Sequence, residues 1–264
     1  MSRLAATFAA LAQNKRAALI TFVTAGDPDY PRSRTLLQAL PGAGADIIEL
    51  GMPFSDPVAD GPAIQAASER ALKGGMTLAR TLDLLREFRA QDSTTPVVLM
   101  GYANPLYAMG FERFAAQAAQ AGADGVIVVD LPPEEAQELR RPLTAQGIDF
   151  IGLVAPTTTE ARLPTVLGCA QGFVYYVSVA GTTGTASAAA SAVDQAVARL
   201  KAATTLPVAV GFGIKTPEQA AAMAATRADA VVVGSALVER IAQGQDAPGF
   251  VTRLAQAVRG TRKA

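Results

Sequence analysis

The feature that most restricts the fold is an alternation of eight short apolar runs with longer, alanine-rich amphipathic segments. Most runs are nearly continuous in hydrophobicity and rich in Val and Ile, as is typical of parallel strands covered on both faces. The segments between them carry helix start signals, such as the N-cap, proline and acid of Thr216-Pro217-Glu218. The predicted strands are Ala17–Ala25, Ala45–Leu50, Pro96–Gly101, Gly125–Asp130, Asp149–Val154, Gly172–Ser178, Pro207–Phe212 and Ala230–Gly234. The predicted helices are Arg32–Leu40, Pro62–Lys73, Leu78–Ala90, Phe111–Ala121, Glu134–Gln146, Glu160–Gly168, Val193–Ala203, Pro217–Ala225 and Pro248–Arg259.

A short phrase recurs before three of these strands, as GADIIEL, GADGVIVVD and RADAVVVG. It indicates a repeated unit of helix, tight turn and buried strand. Eight such units in 264 residues predict an α/β chain forming one (β/α)8 TIM barrel domain over residues 1–264. Extra helices are expected at the N-terminus and in the loops after strands 2 and 8. A doubly wound open sheet is the structural alternative.

The N-terminal segment has Leu4, Phe8 and Leu11 at helical spacing, and Lys15-Arg16 closes its short apolar run. We interpret it as an amphipathic helix lying on the domain, since a signal peptide has a longer uninterrupted apolar run.

Composition excludes several kinds of chemistry. The 23 basic and 23 acidic residues balance, so no excess of positive charge points to nucleic acid or an anionic membrane. The chain has no histidine, which excludes a Ser-His-Asp triad and His-ligated metal sites. Its single cysteine, Cys169, forms no intrachain disulfide and fits a reducing compartment, so we expect a cytoplasmic protein.

The loops that follow the strands carry most of the chemically active residues, whereas the turns that enter the strands are short and plain. In a barrel this asymmetry marks the C-terminal face as the active face. The loops in question are Gly26–Asp29, Gly51–Asp60, Tyr102–Pro105, Asp130–Pro133, Val179–Thr185, Gly211–Lys215 and Gly234-Ser235.

Three glycines on these loops, Gly184, Gly213 and Gly234, together with Ser235, predict a phosphate site. Backbone N–H groups approach a phosphate closely where no side chain intervenes, and the loops after strands 7 and 8 form a recurrent phosphate site in barrels. Each glycine taken alone is explained equally well by a turn. Lys215 is the only cation on these loops, so the site is expected to rest on backbone dipoles.

Glu49 ends the second predicted strand, and Asp60 lies on the loop that follows. Two isoleucines precede Glu49, so its carboxyl is expected to point into an apolar mouth where burial raises its pKa toward neutrality. That is the condition for a general acid–base. Asp56, which stands beside Pro57, is interpreted as a turn residue.

Large apolar side chains at or near the strand ends line this mouth. Their ordinary role is barrel core, but an aromatic-lined mouth also suits a flat apolar ligand. These residues are Phe22, Met100, Tyr102, Ile127, Val129, Leu153, Tyr175 and Phe212.

Two routes to carbon–carbon bond cleavage are excluded. A Schiff-base aldolase needs a lysine at a strand end, and every lysine falls in a predicted helix or loop. A metal-dependent aldolase lacks its histidines here. Such cleavage must therefore use carboxylates and the substrate's own electron sink.

Six motifs, in order and with the right spacing over nearly the whole chain, give a close resemblance to the tryptophan synthase alpha subunit family. The second motif is long and very specific. They are FVTAGDPD (22–29), IIELGMPFSDPVADGPAIQ (47–65), MGYANP (100–105), GTTG (181–184), GFGI (211–214) and VVGSALV (232–238). Thr182 stands where the family usually has Val, and 185–191 lacks the Arg that many relatives carry.

The resemblance implies a lyase without a cofactor of its own, which cleaves indole-3-glycerol phosphate to indole and glyceraldehyde 3-phosphate in tryptophan biosynthesis. It makes Glu49 the general acid–base, and Asp60 the acceptor of the indole N–H bond. The implied substrate-binding residues are Phe22, Met100, Tyr102, Ile127, Val129, Leu153, Tyr175, Thr183, Gly184, Phe212, Gly213, Gly234 and Ser235.

The resemblance also implies a partner, a pyridoxal-phosphate beta subunit in an α2β2 heterotetramer, to which indole passes. Loops Pro53–Asp60 and Val179–Ser191 are then expected to act as lids. Two alternatives stay open. One is another phosphate-binding barrel enzyme, an isomerase or synthase, and the other is a non-catalytic activator of a beta chain.

Overall fold

The computed structural model describes residues 2–178, 186–211 and 213–261, with side chains omitted for 186–189. Within these ranges nine parallel strands alternate with twelve helices. The strands are β1 Ala18–Thr24, β2 Ile47–Gly51, β3 Val97–Gly101, β4 Gly125–Val128, β5 Asp149–Phe150, β6 Gly152–Val154, β7 Val174–Val177, β8 Val208–Gly211 and β9 Ala230–Val233. The helices are α1 Arg3–Gln13, α2 Tyr30–Ala43, α3 Pro62–Lys73, α4 Leu78–Arg89, α5 Ala103–Met109, α6 Phe111–Ala121, α7 Gln137–Ala145, α8 Leu163–Cys169, α9 Ala186–Ala203, α10 Pro217–Ala224, α11 Ser235–Ala242 and α12 Ala247–Arg259.

The strands form one sheet in the order β5-β4-β3-β2-β1-β9-β8-β7-β6, with every pairing parallel. Only Ile151 separates β5 from β6, and its N–H donates to the Val126 carbonyl at 2.9 Å. The two pieces are therefore one interrupted strand, the predicted Asp149–Val154. This strand brings the ends of the sheet together into a nearly closed barrel, so the eight-stranded TIM barrel is confirmed and the open sheet is rejected.

Side chains alternate between two cores because successive strand residues point to opposite faces. On β1, Ile20 belongs to the cluster inside the barrel, whereas Leu19 and Val23 belong to the cluster between strands and helices. The outer cluster explains the nearly continuous apolar runs, since each strand is covered on its outer face by helices.

Helix α1 lies across the N-terminal end of the barrel, as its amphipathic pattern predicts. Leu4, Phe8 and Leu11 are buried in the interior cluster, and the Phe8 ring packs on Phe173 with centroids 5.8 Å apart. The Arg3 guanidinium reaches the Asp124 carboxylate at 3.0 Å. Because α1 covers this end of the barrel, the opposite end, where the strands terminate, is the place for a ligand.

Two helices, α3 and α11, are the expected additions after strands 2 and 8, and both lie beside the C-terminal mouth. They pack against each other and against β1. Within the described ranges, no helix combines the length and apolar character needed to span a bilayer.

The prediction that 102–105 is only a loop was wrong, because α5 begins at Ala103. The Asp130 carboxylate accepts the Ala103 N–H at 2.8 Å and so caps this helix from the loop after β4. Pro105 is tolerated because the first turn of a helix requires no partner for its N–H groups. A cap supplied from another part of the chain leaves no local signal.

The segment predicted as a lid, 179–191, overlaps a helix that begins earlier than the sequence predicts. Residues 179–185 lie outside the described residues, and α9 begins at Ala186, earlier than the predicted Val193. The segment is rich in alanine, the strongest helix former, and this composition outweighed its small-residue, loop-like appearance. Helix α2 likewise extends beyond its predicted end at Leu40, through Pro41, to a left-handed Gly44.

Candidate active site

Glu49 is the third residue of β2 and pairs in register with Phe22 on β1 and Val98 on β3. Its side chain lies on the same face as Ile47, which belongs to the barrel interior. The residue is only 1% exposed. The strand therefore places the carboxyl inside the barrel, near its C-terminal end, as the two preceding isoleucines predict.

The Glu49 carboxyl is held in an unusually apolar setting. Its Oε1 is buried and has no hydrogen-bond partner among the described residues. Burial alone raises the pKa of this carboxyl from 4.5 to about 8. At neutral pH the carboxyl is therefore largely protonated and able to donate a proton. Because its pKa lies close to that pH, the carboxylate can also take a proton back.

Tyr175 on β7 shares this environment with Glu49. Burial, with the nearby Glu49 charge as a smaller cause, raises the pKa of the Tyr175 hydroxyl well above 10.0. Tyr175 therefore stays neutral over the working pH range, and the wall facing Glu49 carries an aromatic ring with an uncharged hydroxyl.

The raised pKa of Glu49 predicts a specific pH dependence of stability. The folded chain holds a proton that the unfolded chain releases between pH 4.5 and about 8. The free energy of unfolding should therefore fall as pH rises through this window, by up to about 1.4 kcal/mol per pH unit. Denaturant titrations across the window measure this slope. The variant Glu49→Gln should show a shallower slope, and equal slopes in the two proteins would contradict the buried-acid assignment.

Asp60 stands just before the helix α3, and Tyr102 holds its loop at the mouth. The Ala59 N–H donates to the Tyr102 hydroxyl oxygen at 3.0 Å. Burial raises the pKa of the Asp60 carboxyl above its usual value, and a hydrogen bond from the Tyr102 hydroxyl opposes this rise in part. The loops after β2 and β3 are thus joined through one phenol.

Most of the predicted apolar wall lies on the interior face of the strands. The interior cluster contains Ile127 and Tyr175, and Met100, Val129 and Leu153 pack against it while partly exposed. This combination of a buried floor and a partly open rim is what a flat apolar ligand needs. Phe22 lies in a neighbouring cluster that also includes Ala67 of α3 and Val238 of α11.

The predicted phosphate residues are described only in part. Gly234 precedes α11 with no side-chain cap, and Ser235 is the first residue of that helix. Gly213 adopts a positive φ of 46°, in the loop after β8. The first backbone N–H groups of α11 therefore receive no side-chain cap from Gly234, and N–H groups at a helix start can bind an anion. Thr183, Gly184 and Phe212 lie outside the described residues.

Two glycines outside the predicted set of site residues make room for the aromatic side chains of the wall. A Cβ on Gly211 would lie 2.3 Å from the Tyr175 hydroxyl oxygen, and one on Gly51 would lie 2.6 Å from Cζ of Phe22. Neither distance is possible, so both aromatic rings depend on these glycines. The available signal was a glycine at the end of a buried strand.

A parallel α/β barrel with a buried, unpartnered carboxyl near its C-terminal mouth, and a second carboxyl on the adjoining loop, defines a barrel enzyme of the acid–base class. Comparison with known proteins makes this specific. Residues 8–264 match the family model of the tryptophan synthase alpha chain. The chain therefore belongs to the tryptophan synthase alpha chain family, whose reaction is the cleavage of indole-3-glycerol phosphate.

Solved structures agree with this assignment. The alpha subunit of tryptophan synthase from Legionella pneumophila strain Paris is 41% identical, with a TM-score of 0.91 over 98% of this chain and 99% of that one. A tryptophan synthase from M. tuberculosis, in an open form with BRD0059 bound, is 38% identical, with a TM-score of 0.89 over 98% and 99%. The chain is accordingly a lyase of tryptophan biosynthesis, and its family passes the indole it releases to a beta subunit.

Proposed function

We propose that Glu49 is the general acid–base of this cleavage and that Asp60 binds the indole N–H. The observation that carries the proposal is the buried Glu49 Oε1, which has no hydrogen-bond partner among the described residues. A buried polar atom without a partner is costly in a folded protein, and a substrate group can supply the missing bond. Indole release by the full chain, with and without these side chains, tests the assignment.

The reaction needs an acid that protonates the indole ring and a base that removes the proton of the glycerol hydroxyl. The protonated Glu49 carboxyl donates to C3 of the indole ring, which makes the ring a cationic indolenine. The bond from C3 to the glycerol chain then breaks, and its electron pair returns to the ring. The hydroxyl on the departing carbon becomes the aldehyde of glyceraldehyde 3-phosphate, and its proton passes to the Glu49 carboxylate. The acid is thereby regenerated in one turnover.

Asp60 supports the step that creates positive charge. When C3 is protonated, the charge spreads to the indole nitrogen, and a carboxylate that accepts the N–H bond stabilises it. Such an interaction is stronger in the transition state than in the ground state, so it accelerates the reaction. The hydrogen bond from the Tyr102 hydroxyl favours the ionised form of Asp60 and offsets part of the rise in its pKa that burial causes.

The phosphate of the substrate is proposed to bind at the start of α11. Gly234 and Ser235 present backbone N–H groups there, and Gly213 adds the neighbouring loop. Thr183 and Gly184 complete this part of the proposal, and Phe212 belongs to the ring-binding part. Since the helix start carries a partial positive charge, the dianion needs no cationic side chain of its own.

Changing Gly234 to Val should raise KM by about 10- to 100-fold. The branched side chain would block backbone N–H groups that donate to the charged phosphate. The backbone of Gly234 has φ −118°, so the substitution brings no left-handed strain. Steady-state kinetics of indole release measures the effect. Gly42→Val is the matched control, since a Cβ at Gly42 meets nothing within 4 Å. An unchanged KM for Gly234→Val, or an equal rise in the control, would contradict the site.

The partner is proposed to be a pyridoxal-phosphate beta subunit, in an α2β2 complex, in the cytoplasm. Family membership supports this, as does exposed apolar surface beside the mouth. Val58, on the loop after β2, is 82% exposed, and Tyr107, in α5 after β3, is 70% exposed. Indole is apolar, so its transfer between covered sites would prevent its loss. The loop 53–60 is proposed to act as a lid, and 179–185 remains part of that proposal.

A further inference from the structure

The loop after β1 contains an ion pair to which the chemistry above gives no role. Both carboxylate oxygens of Asp27 accept from Arg70, one from Nε at 2.7 Å and one from Nη2 at 3.0 Å. The Asp27 side chain is 1% exposed and that of Arg70 is 35% exposed. A planar two-bond pair fixes direction as well as distance, and more strongly than a single contact between point charges.

Arg70 lies on α3, the helix whose N-terminal end carries the Asp60 loop. Gln65, also on α3, donates from Nε2 to the Asp60 carbonyl at 2.9 Å and to the Pro57 carbonyl at 3.3 Å. The Asp60 N–H in turn donates to the Pro57 carbonyl at 3.0 Å. These bonds tie the loop to the helix, so a displacement of α3 also displaces Asp60.

The buried face of α3, which packs against β1 and α11, consists of small residues. Its buried residues are Ala67, Ser68 and Ala71, and the larger Ile64 packs against the Phe22 cluster while partly exposed. Small side chains interdigitate shallowly with their neighbours, so their packing resists a slide or rotation of the helix weakly. A directional pair to the end of β1 therefore has more influence on the position of α3 than it would on a helix with large buried residues.

We infer that the Asp27–Arg70 pair is a positioning element, which sets the place of α3 on the barrel and through it the place of the Asp60 carboxylate against the substrate's indole N–H. The inference rests on the proposed function of Asp60. Neither Asp27 nor Arg70 is required to touch the substrate. The pair connects the loop after strand 1 with the loop after strand 2, and so gives the Gly26–Asp29 segment a role in catalysis.

Asp27→Asn should lower kcat for indole release by about 10- to 100-fold, because a shift of about 1 Å in a catalytic group has effects of this size. KM should change less than about threefold, since the phosphate and ring contacts are left in place. Arg70→Lys keeps the charge but loses the planar fork, and should show a partial loss of kcat. Glu69→Gln is the matched control, because it removes an exposed ion pair, Lys73 to Glu69 at 2.7 Å, from the same helix.

A double-mutant cycle separates positioning from general stability. In an Asp60→Asn background, Asp27→Asn should cost less than about threefold in kcat, because the group that it positions has already lost its charge. Independent, multiplied losses would overturn the inference while leaving the role of Asp60 intact. Unchanged kcat in Asp60→Asn alone would instead overturn the proposed function of Asp60. Circular dichroism confirms folding, and if Asp27→Asn fails to fold, Arg70→Lys carries the same cycle.

Discussion

Replacing Glu49 with Gln is expected to reduce kcat for indole release by about 100- to 10,000-fold, while the chain still folds. Glutamine has the size of glutamate but cannot donate a proton to C3 of indole or accept the proton of the glycerol hydroxyl. Both halves of the proton transfer fail together, so no later step compensates. The measurement is single-turnover indole release by the full chain at saturating indole-3-glycerol phosphate.

Folding should survive this change because the side chain that it replaces is buried and carries a pKa of about 8. A neutral amide takes the place of a largely neutral acid, so no buried charge is lost or gained near pH 7. KM is expected to change little, since the phosphate and ring contacts are untouched. Activity within a few-fold of the parent chain would show that another group transfers the protons.

The position of Glu49 could be predicted because the signals that place it are local. Ile47 and Ile48 mark a strand buried on both faces, and Glu49 lies near the C-terminal end of that strand, which Gly51 closes. Strand periodicity then puts Glu49 on the same face as Ile47. From there, burial follows from barrel closure, and the raised pKa follows from burial.

Contacts between distant parts of the chain could not be predicted in the same way. The cap that Asp130 gives to Ala103, and the bond between Ala59 and Tyr102, join residues far apart in sequence. Each depends on how neighbouring loops settle after the barrel has closed. Local propensity therefore gave the strands and most helices, but missed α5, whose first turn relies on such a cap.

The Asp27–Arg70 pair is a further contact that local sequence signals could not predict. A Gly-Asp-Pro sequence after a strand is explained adequately by a turn, so Asp27 gave no sign that its carboxylate is buried. Arg70 sits in a helix whose sequence is amphipathic and ordinary. Only the barrel, which brings the ends of strands 1 and 2 side by side, makes these two residues partners.

Asp60→Asn is expected to lower kcat by about 100- to 1,000-fold, the range for removal of one preorganised electrostatic contact to a developing charge. Asparagine can still accept the indole N–H bond through its amide oxygen, and its shape matches aspartate. The loss therefore reports the negative charge rather than the hydrogen bond. Because the charge matters most when the indolenine cation forms, kcat should fall far more than KM rises.

Asp56 supplies the comparison, because it lies on the same loop, but its side chain bonds only to its neighbour Ser55, at 2.5 Å, among the side-chain contacts described. Asp56→Asn removes an equal charge a few residues away, and should leave kcat of the isolated chain within about twofold. If the two substitutions had equal effects, the loop's total charge would explain them and Asp60 would have no specific role. A large loss confined to Asp60→Asn places the stabilising charge at the indole nitrogen, since Asp60 is the carboxylate to which the Tyr102 hydroxyl bonds at the mouth.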